Sequence, residues 1–328
     1  MGPPGCEEAS SRLIVHQKFP ILTKSPVMKL DFSTSSSLME PASLHASVFG
    51  ETDRLTDVLL CEPSQLEPVP CCSVTRESLR NGFDVSAAEA RRQHGVLRDT
   101  LAAYGVRCHT LPPQPECPDQ CFTRDAAVST PWGLVGLNPA MPHRLREVDH
   151  LVDSLALRGI ATSRRVTTGT IEGGDICIAR EGLLILGTSG ERTTLEGAEA
   201  FASPFRENGW DVLVHAFDPH FLHLDTMFCM LDPHHALGCV DVLDDDFLKT
   251  VSSFGIKVIP VSYKDSRRLG CNILSLDGRT ILMGSGQEAT AERTREAGFE
   301  VIELEISQFT ACGGGIHCLT MPLRRQRR

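Results

Sequence analysis

The sequence predicts an α/β fold in which five strand–strand–helix–strand (ββαβ) units form a closed array about an axis. Three observations carry this expectation. Helical segments repeatedly end at a glycine and run straight into an apolar stretch, at Gly105-Val106, Gly159-Ile160, Gly209-Trp210, Gly255-Ile256 and Gly298-Phe299, at intervals of 54, 50, 46 and 43 residues. A glycine just past a helix suits the left-handed conformation that terminates it. Short strand pairs separated by turn residues fill the gaps between these points. The last apolar stretch, Leu319–Leu323, has no helix after it and is a natural partner for the first, Leu55–Cys61, which would close the ring. A period near fifty residues indicates stacked supersecondary units rather than a doubly wound sheet.

The elements follow in chain order. Leu55–Cys61 is the first strand, and Ser86-Ala87-Ala88-Glu89 is a capping-box pattern opening a helix that runs to Tyr104. Ala126–Thr130 and Leu134–Leu137 flank Pro131-Trp132-Gly133; Asp175–Ala179 and Leu183–Leu186 flank Glu181-Gly182. Asp225–Leu231 and Ala236–Val240 flank Asp232-Pro233; Asn272–Leu276 and Thr280–Met283 flank Asp277-Gly278. The triple glycine Gly313-Gly314-Gly315 reads as a mobile lead into the final strand. Residues 1–48, Pro- and Ser-rich, read as a disordered extension with neither a secretory nor a myristoylation pattern, and 49–328 as one catalytic domain.

Composition narrows the function. Hydrophobic residues make up 41% of the 328 and charged residues 23%, enough apolar matter for a sizeable core. With 42 acidic against 32 basic residues the net charge is −10, which disfavours nucleic acid and anionic membrane and favours a small cationic substrate. No apolar run approaches the roughly 18 residues of a spanning helix. Thirteen scattered cysteines, without a CxxC pair, point to a reducing compartment, a cytoplasmic location and no structural metal.

One chemically pointed residue stands at the start of each unit: Asp125, Glu172, His223, Asn272 and Cys318, separated by 47, 51, 49 and 46 residues. Equivalent positions in an array about an axis converge on that axis. A thiol and an imidazole brought together make a nucleophile and its acid/base, and carboxylates beside them hold a cation. Each residue alone has a plainer reading: a capping aspartate, a Gly-Gly turn after Glu172, a satisfied core histidine, a buried structural cysteine. Their common phase is what lifts them above it. His223-Leu224-Asp225 also sets a second carboxylate on the face of the imidazole.

Phe122-Thr123-Arg124-Asp125, Glu172-Gly173-Gly174-Asp175, His223-Leu224-Asp225 and Gly313-Gly314-Gly315-Ile316-His317-Cys318 resemble the motifs of the guanidine-modifying superfamily: arginine deiminases, dimethylargininases, agmatine deiminases and amidinotransferases. The resemblance spans about residues 51 to 324. It implies a five-bladed pseudosymmetric α/β propeller and, without cofactor or metal, a cysteine-dependent hydrolase giving citrulline from arginine or an N-methylated arginine through a covalent amidino-thioether. It makes Cys318 the nucleophile, His223 the acid/base, and Asp125 and Glu172 the grip on a small cationic guanidino substrate, with Asp225 adding an acidic contact. Arg144 and Arg192 would hold the substrate carboxylate and Asp119 its α-amine. Dimethylargininases commonly carry lysine at the position of Asp225, whereas Asp119 is a dimethylargininase feature, so the resemblance leaves the substrate open. An amidinotransferase and a non-catalytic guanidine-binding protein are the alternatives, and a homodimer is allowed for.

Overall fold

The computed structural model describes residues 45–327; the expected disordered extension lies outside them up to residue 44. Ser47 and Val48, on the extension side of the expected boundary, bond to the domain: Ser47 N–H donates to the Leu323 carbonyl at 2.8 Å and Val48 N–H to that of Thr130 at 3.3 Å.

The first unit comprises β1 (Arg54–Cys61), α1 (Ser73–Arg80), α2 (Ala87–Ala103) and β2 (Arg107–Leu111). The second is β3 (Ala127–Thr130), β4 (Gly133–Gly136), α3 (Leu145–Ala156) and β5 (Thr162–Arg165). The third is β6 (Ile176–Arg180), β7 (Leu183–Thr188), α4 (Leu195–Glu207) and β8 (Asp211–Ala216). The fourth is β9 (Phe228–Asp232), β10 (His235–Cys239), α5 (Asp245–Ser253) and β11 (Lys257–Val261). A short α6 (Tyr263–Ser266) leads to the fifth: β12 (Leu274–Ser275), β13 (Thr280–Gly284), α7 (Glu288–Glu296) and β14 (Glu300–Leu304). α8 (Ser307–Thr310) and β15 (Met321–Gln326) complete the chain.

These strands make five three-stranded sheets, each an antiparallel pair joined to a parallel third strand. A helical crossover is what a parallel third strand requires. The fifth sheet-forming partnership is the expected closure: β15 pairs antiparallel with β1, Leu59 opposite Met321 and Val58 opposite Pro322. That strand begins two residues later than predicted, because the Leu319 and Thr320 amides still donate to the Gly315 and His317 carbonyls in the turn that carries Cys318.

In the second to fifth units the first two strands are buried nearly throughout, whereas the third strands β5, β8, β11 and β14 are largely half-buried or exposed. The near-continuous apolar runs are therefore the inner strands, covered on both faces. The five helix-ending glycines all have positive φ, from 76° to 98°, as their position past a helix demands. The capping box at α2 is half made. Ser86 Oγ accepts from the Glu89 amide at 3.4 Å, but the Glu89 carboxylate turns to Arg92 and Gln93 while the Ser86 amide donates to Gln308 Oε1. Among the described residues no helix is long and apolar enough to cross a membrane.

Candidate active site

Adjacent units are tied together near the axis by one recurring device. Short 3₁₀ turns at Thr123–Asp125, Gly173–Asp175 and Leu224–Thr226 precede the inner strands of the second, third and fourth units. Asp125 Oδ1 accepts the Gly174 amide at 3.0 Å, and Asp175 Oδ1 accepts the Leu224 amide at 2.8 Å. In the fifth unit Asn272 donates through Nδ2 to the Asp225 carbonyl at 3.5 Å and accepts the His317 amide on Oδ1 at 3.0 Å. The Arg124 amide then donates to the Cys318 carbonyl at 3.2 Å and completes the circuit.

Glycines make this approach sterically feasible. A Cβ on Gly173 would lie 2.1 Å from the Arg124 carbonyl oxygen, and one on Gly174 2.6 Å from His223 Nδ1. The triple glycine expected as a mobile lead is packed instead. A Cβ on Gly314 would meet Phe122 Cε1 at 2.1 Å, and one on Gly315 Asn272 Oδ1 at 2.4 Å. Those residues are glycine because other parts of the site already fill the space a side chain would need.

The predicted residues gather in two adjoining groups. In the first, His223 Nε2 pairs with Glu172 Oε2 at 2.7 Å, and His223 Nδ1 lies 3.9 Å from Asp125 Oδ1 without a hydrogen-bond partner. Burial alone would push the imidazole pKa down, but the carboxylates of Asp125, Asp175 and Glu172 outweigh it and raise it to about 10. His223 is thus an imidazolium at neutral pH. Burial opposes ionisation of Glu172, yet its bond to His223 and the charges of His223 and Arg192 hold its carboxyl well below the usual range.

The second group surrounds the thiol. Asn272 Nδ2 donates to Cys318 Sγ at 3.2 Å, and the thiol donates to Asp225 Oδ2 at 3.5 Å. Among the described residues, no hydrogen bond joins Cys318 to His223; the groups are linked electrostatically through Asp125, which bears on both. Burial, then Asp225 and Asp125, push the thiol pKa well above its usual value. Asp225 Oδ2 also meets His317 Nδ1 at 2.9 Å, whereas its Oδ1 is buried without a partner. Burial works against the Asp225 charge, but the His317 bond and charge prevail and keep the carboxyl below its usual range.

Arg144 and Arg192 stand inside the site, each on a carboxylate. Arg144 Nη1 donates to Asp125 Oδ2 at 2.7 Å, and its other nitrogens serve Glu147 and the Asp119 and Phe122 carbonyls. Arg192 donates to Glu172 Oε2 at 3.1 Å and to the Cys71 carbonyl at 3.0 Å. Asp119 lies further out, its Oδ2 2.8 Å from His143 Nε2. All eight predicted residues are at most 6% exposed, so this conformation is closed to solvent. The segment that closes on Arg192 is the stretch between β1 and α2: its Cys71 carbonyl accepts the Arg192 guanidinium at 3.0 Å, Cys72 Sγ caps α1 by accepting the Thr75 amide, and Ser73 Oγ donates to the His220 carbonyl at 3.1 Å.

Sequence reasoning assigned nothing to Glu51, Asp175 or His317. His317 Nε2 lies 3.4 Å from Glu51 Oε2, so Glu51, His317 and Asp225 form a buried line behind the thiol. His317 and Asp175 sit inside quoted motifs, and Asp125, Asp175 and Asp225 recur at fifty-residue steps; that spacing was the available signal. Nothing in the sequence marks Glu51.

Known proteins resemble this chain in sequence and in fold. The profile of the family described as "N,N dimethylarginine dimethylhydrolase, eukaryotic" matches residues 73–325. An uncharacterised protein of Aeropyrum pernix is 30% identical over 240 residues, covering 73% of this chain and 85% of its own. The N(G),N(G)-dimethylarginine dimethylaminohydrolase of Streptomyces coelicolor is 25% identical over 251 residues, covering 76% of this chain and 90% of its own. Among solved structures, the N-terminal domain of ArgZ, a cyanobacterial arginine dihydrolase bound to its substrate, superposes with a TM-score of 0.73 at 22% identity, covering 82% of this chain and 98% of its own.

Proposed function

The chain belongs to the N,N-dimethylarginine dimethylhydrolase family, whose members hydrolyse amidine C–N bonds, and from that premise we propose that it hydrolyses free arginine to citrulline and ammonia with Cys318 as nucleophile. The observation that supports arginine is Asp225: a buried carboxylate, hydrogen-bonded to the thiol through one oxygen, whose other oxygen has no partner. An unsubstituted guanidinium N–H satisfies that oxygen; a dimethylated nitrogen has no hydrogen to give it.

The chemistry follows from the charges. An arriving guanidinium brings a positive charge beside Asp125 and Asp225, which together with burial hold the thiol neutral, and so favours the Cys318 thiolate, the thiol proton leaving to solvent. The sulfur attacks the guanidinium carbon. The His223 imidazolium, with Nδ1 unpaired, gives its proton to the departing nitrogen, and ammonia leaves. The neutral imidazole then takes a proton from water as the hydroxyl adds to the amidino-thioether carbon. Collapse breaks the C–S bond and returns the thiolate, and the hydroxyl proton passes to water as the C=O of citrulline forms. Arg144 and Arg192 exchange their present carboxylate partners for the substrate carboxylate as Asp125 and Glu172 take the guanidinium, and Asp119 receives the α-amine.

Hydrolysis of methylated arginine is the second reading, favoured by Asp119. Product analysis with arginine, both methylarginines, citrulline, agmatine and a panel of amines separates the cases. Citrulline and ammonia from arginine, with kcat/KM at least about tenfold above that for asymmetric dimethylarginine, is the expected result. Dimethylamine as the dominant product moves the chain to the second reading, and ornithine with a new guanidino compound makes it a transferase.

A further inference from the structure

Away from the acidic centre, three metal-ligating side chains of different chemistry converge where the closing segment meets the site. Cys71 Sγ, an Asp119 carboxylate oxygen and a His143 ring nitrogen all lie within 4.8 Å of one another. They come from the segment before α1, the loop before the first 3₁₀ turn and the turn before α3. Cys71 and His143 are partly open to solvent while Asp119 is buried, so a small ion has a route in. We propose that Cys71, Asp119 and His143 form a zinc site that clamps the closing segment and blocks the substrate pocket.

The donor set selects the ion. A thiolate, an imidazole and a carboxylate suit borderline-soft zinc and are poor ligands as a set for magnesium or calcium, which want oxygen. Thiolate and carboxylate together neutralise a divalent charge. Bonds of about 2.0–2.3 Å in a tetrahedral arrangement place ligand atoms roughly 3.3–3.7 Å apart. The Asp119–His143 pair, now 2.8 Å apart, needs to widen by only about half an ångström, and the fourth position stays open to water.

Its position explains the effect. The Cys71 carbonyl accepts from Arg192 and the Asp119 carbonyl from Arg144, so the ligands are direct neighbours of both arginines. Zinc at this point occupies the Asp119 carboxylate and joins the segment before α1 to the wall of the site. The inhibitory effect rests on the proposed function, whereas metal binding does not. Among the described residues, the other cluster of suitable spacing, Asp125, Glu172 and His223, belongs to the acidic centre and stays unaltered in every variant of the test.

The test uses the full chain carrying Cys318→Ser, so that the nucleophile thiol cannot bind metal. Zinc is titrated against a chromophoric chelator, and cobalt is substituted as a spectroscopic probe. The expected result is one equivalent of zinc and a thiolate-to-cobalt charge-transfer band, with affinity at least about tenfold weaker when Cys71→Ser or His143→Asn is added. In the chain with Cys318 intact, zinc suppresses turnover, and Cys71→Ser, with basal turnover within about twofold, needs at least about tenfold more zinc. Equal zinc affinity in both added variants, or a cobalt spectrum lacking the thiolate band, overturns the site. A chain that turns over no guanidino compound removes the functional reading while the titration still decides the metal site.

Discussion

Asp225 concentrates the substrate question in one carboxylate. Its Oδ2 serves Cys318 and His317 while Oδ1 is left without a partner. Asp225→Asn replaces an acceptor with a donor at one of these places, and is expected to lower kcat/KM for arginine by about 10–100-fold, the value of about 1–3 kcal/mol for one buried polar contact. Turnover of dimethylarginine falls less; equal losses on both substrates count against the assignment. Cys318→Ser is expected to abolish turnover while leaving arginine binding measurable by calorimetry, and residual activity above a few per cent argues against the nucleophile. His223 predicts a pH dependence. Its pKa is raised from 6.5 to about 10 in the folded chain, so its charge stabilises the fold fully below about 6.5 and that contribution disappears as pH rises through about 10. The urea midpoint should drop between pH 7 and 10, and His223→Asn, uncharged throughout, should flatten that drop.

The turns that join neighbouring units carry both structure and chemistry. The plainer reading of Asp125, a capping residue, is half of what the fold uses: its Oδ1 caps the Gly174 amide of the next unit while Oδ2 faces Arg144. Asp175 repeats the device one unit on, with burial pushing its carboxyl up to about 7 and Oδ2 unpartnered. Asp175→Ala leaves the Leu224 amide unpaired beside His223, which should cost about 1–3 kcal/mol in a denaturant titration; a change below about 0.5 kcal/mol means the bond holds nothing. Gly174→Ala places a methyl 2.6 Å from His223 Nδ1. Because the clash falls on the ring itself, kcat should collapse while the far-UV spectrum persists. The fifty-residue spacing singled out Asp125 in the sequence, but neither Asp175 nor the reach of each aspartate into the following unit, since a periodic pattern does not say which neighbour a side chain bonds.

At the scale of the whole molecule, closure and chemistry depend on the same chain end. Cys318 stands three residues before β15, and β15 completes the sheet of β1 at the other end of the described chain. Truncation after Thr320 keeps all eight predicted site residues yet strips β1 of its antiparallel partner, leaving an unpaired apolar edge. The truncated chain should lose cooperative thermal unfolding and aggregate, with turnover gone; a sharp transition at an unchanged midpoint would show that the ring does not need its last strand. The buried Arg325 strengthens this expectation, because its guanidinium donates to the Asp53 and Ser275 carbonyls and ties the last strand to the loop before β1 and to β12.

The sequence alone gives the number and kind of units, the glycines that end their helices, the partner of the last strand and one residue per unit that meets the others near the axis: Asp125, Glu172, His223, Asn272 and Cys318. These are consequences of periodicity and backbone preference, which are local and survive without coordinates. Who faces whom is set by packing in three dimensions: Glu172 rather than Cys318 holds His223, Arg144 and Arg192 lie on the site's own carboxylates, Glu51 and His317 back the thiol, and Cys71 arrives beside His143. Those pairings join residues up to 266 positions apart and depend on how neighbouring units are packed and which rotamers that packing admits, information that no repeat in the chain encodes.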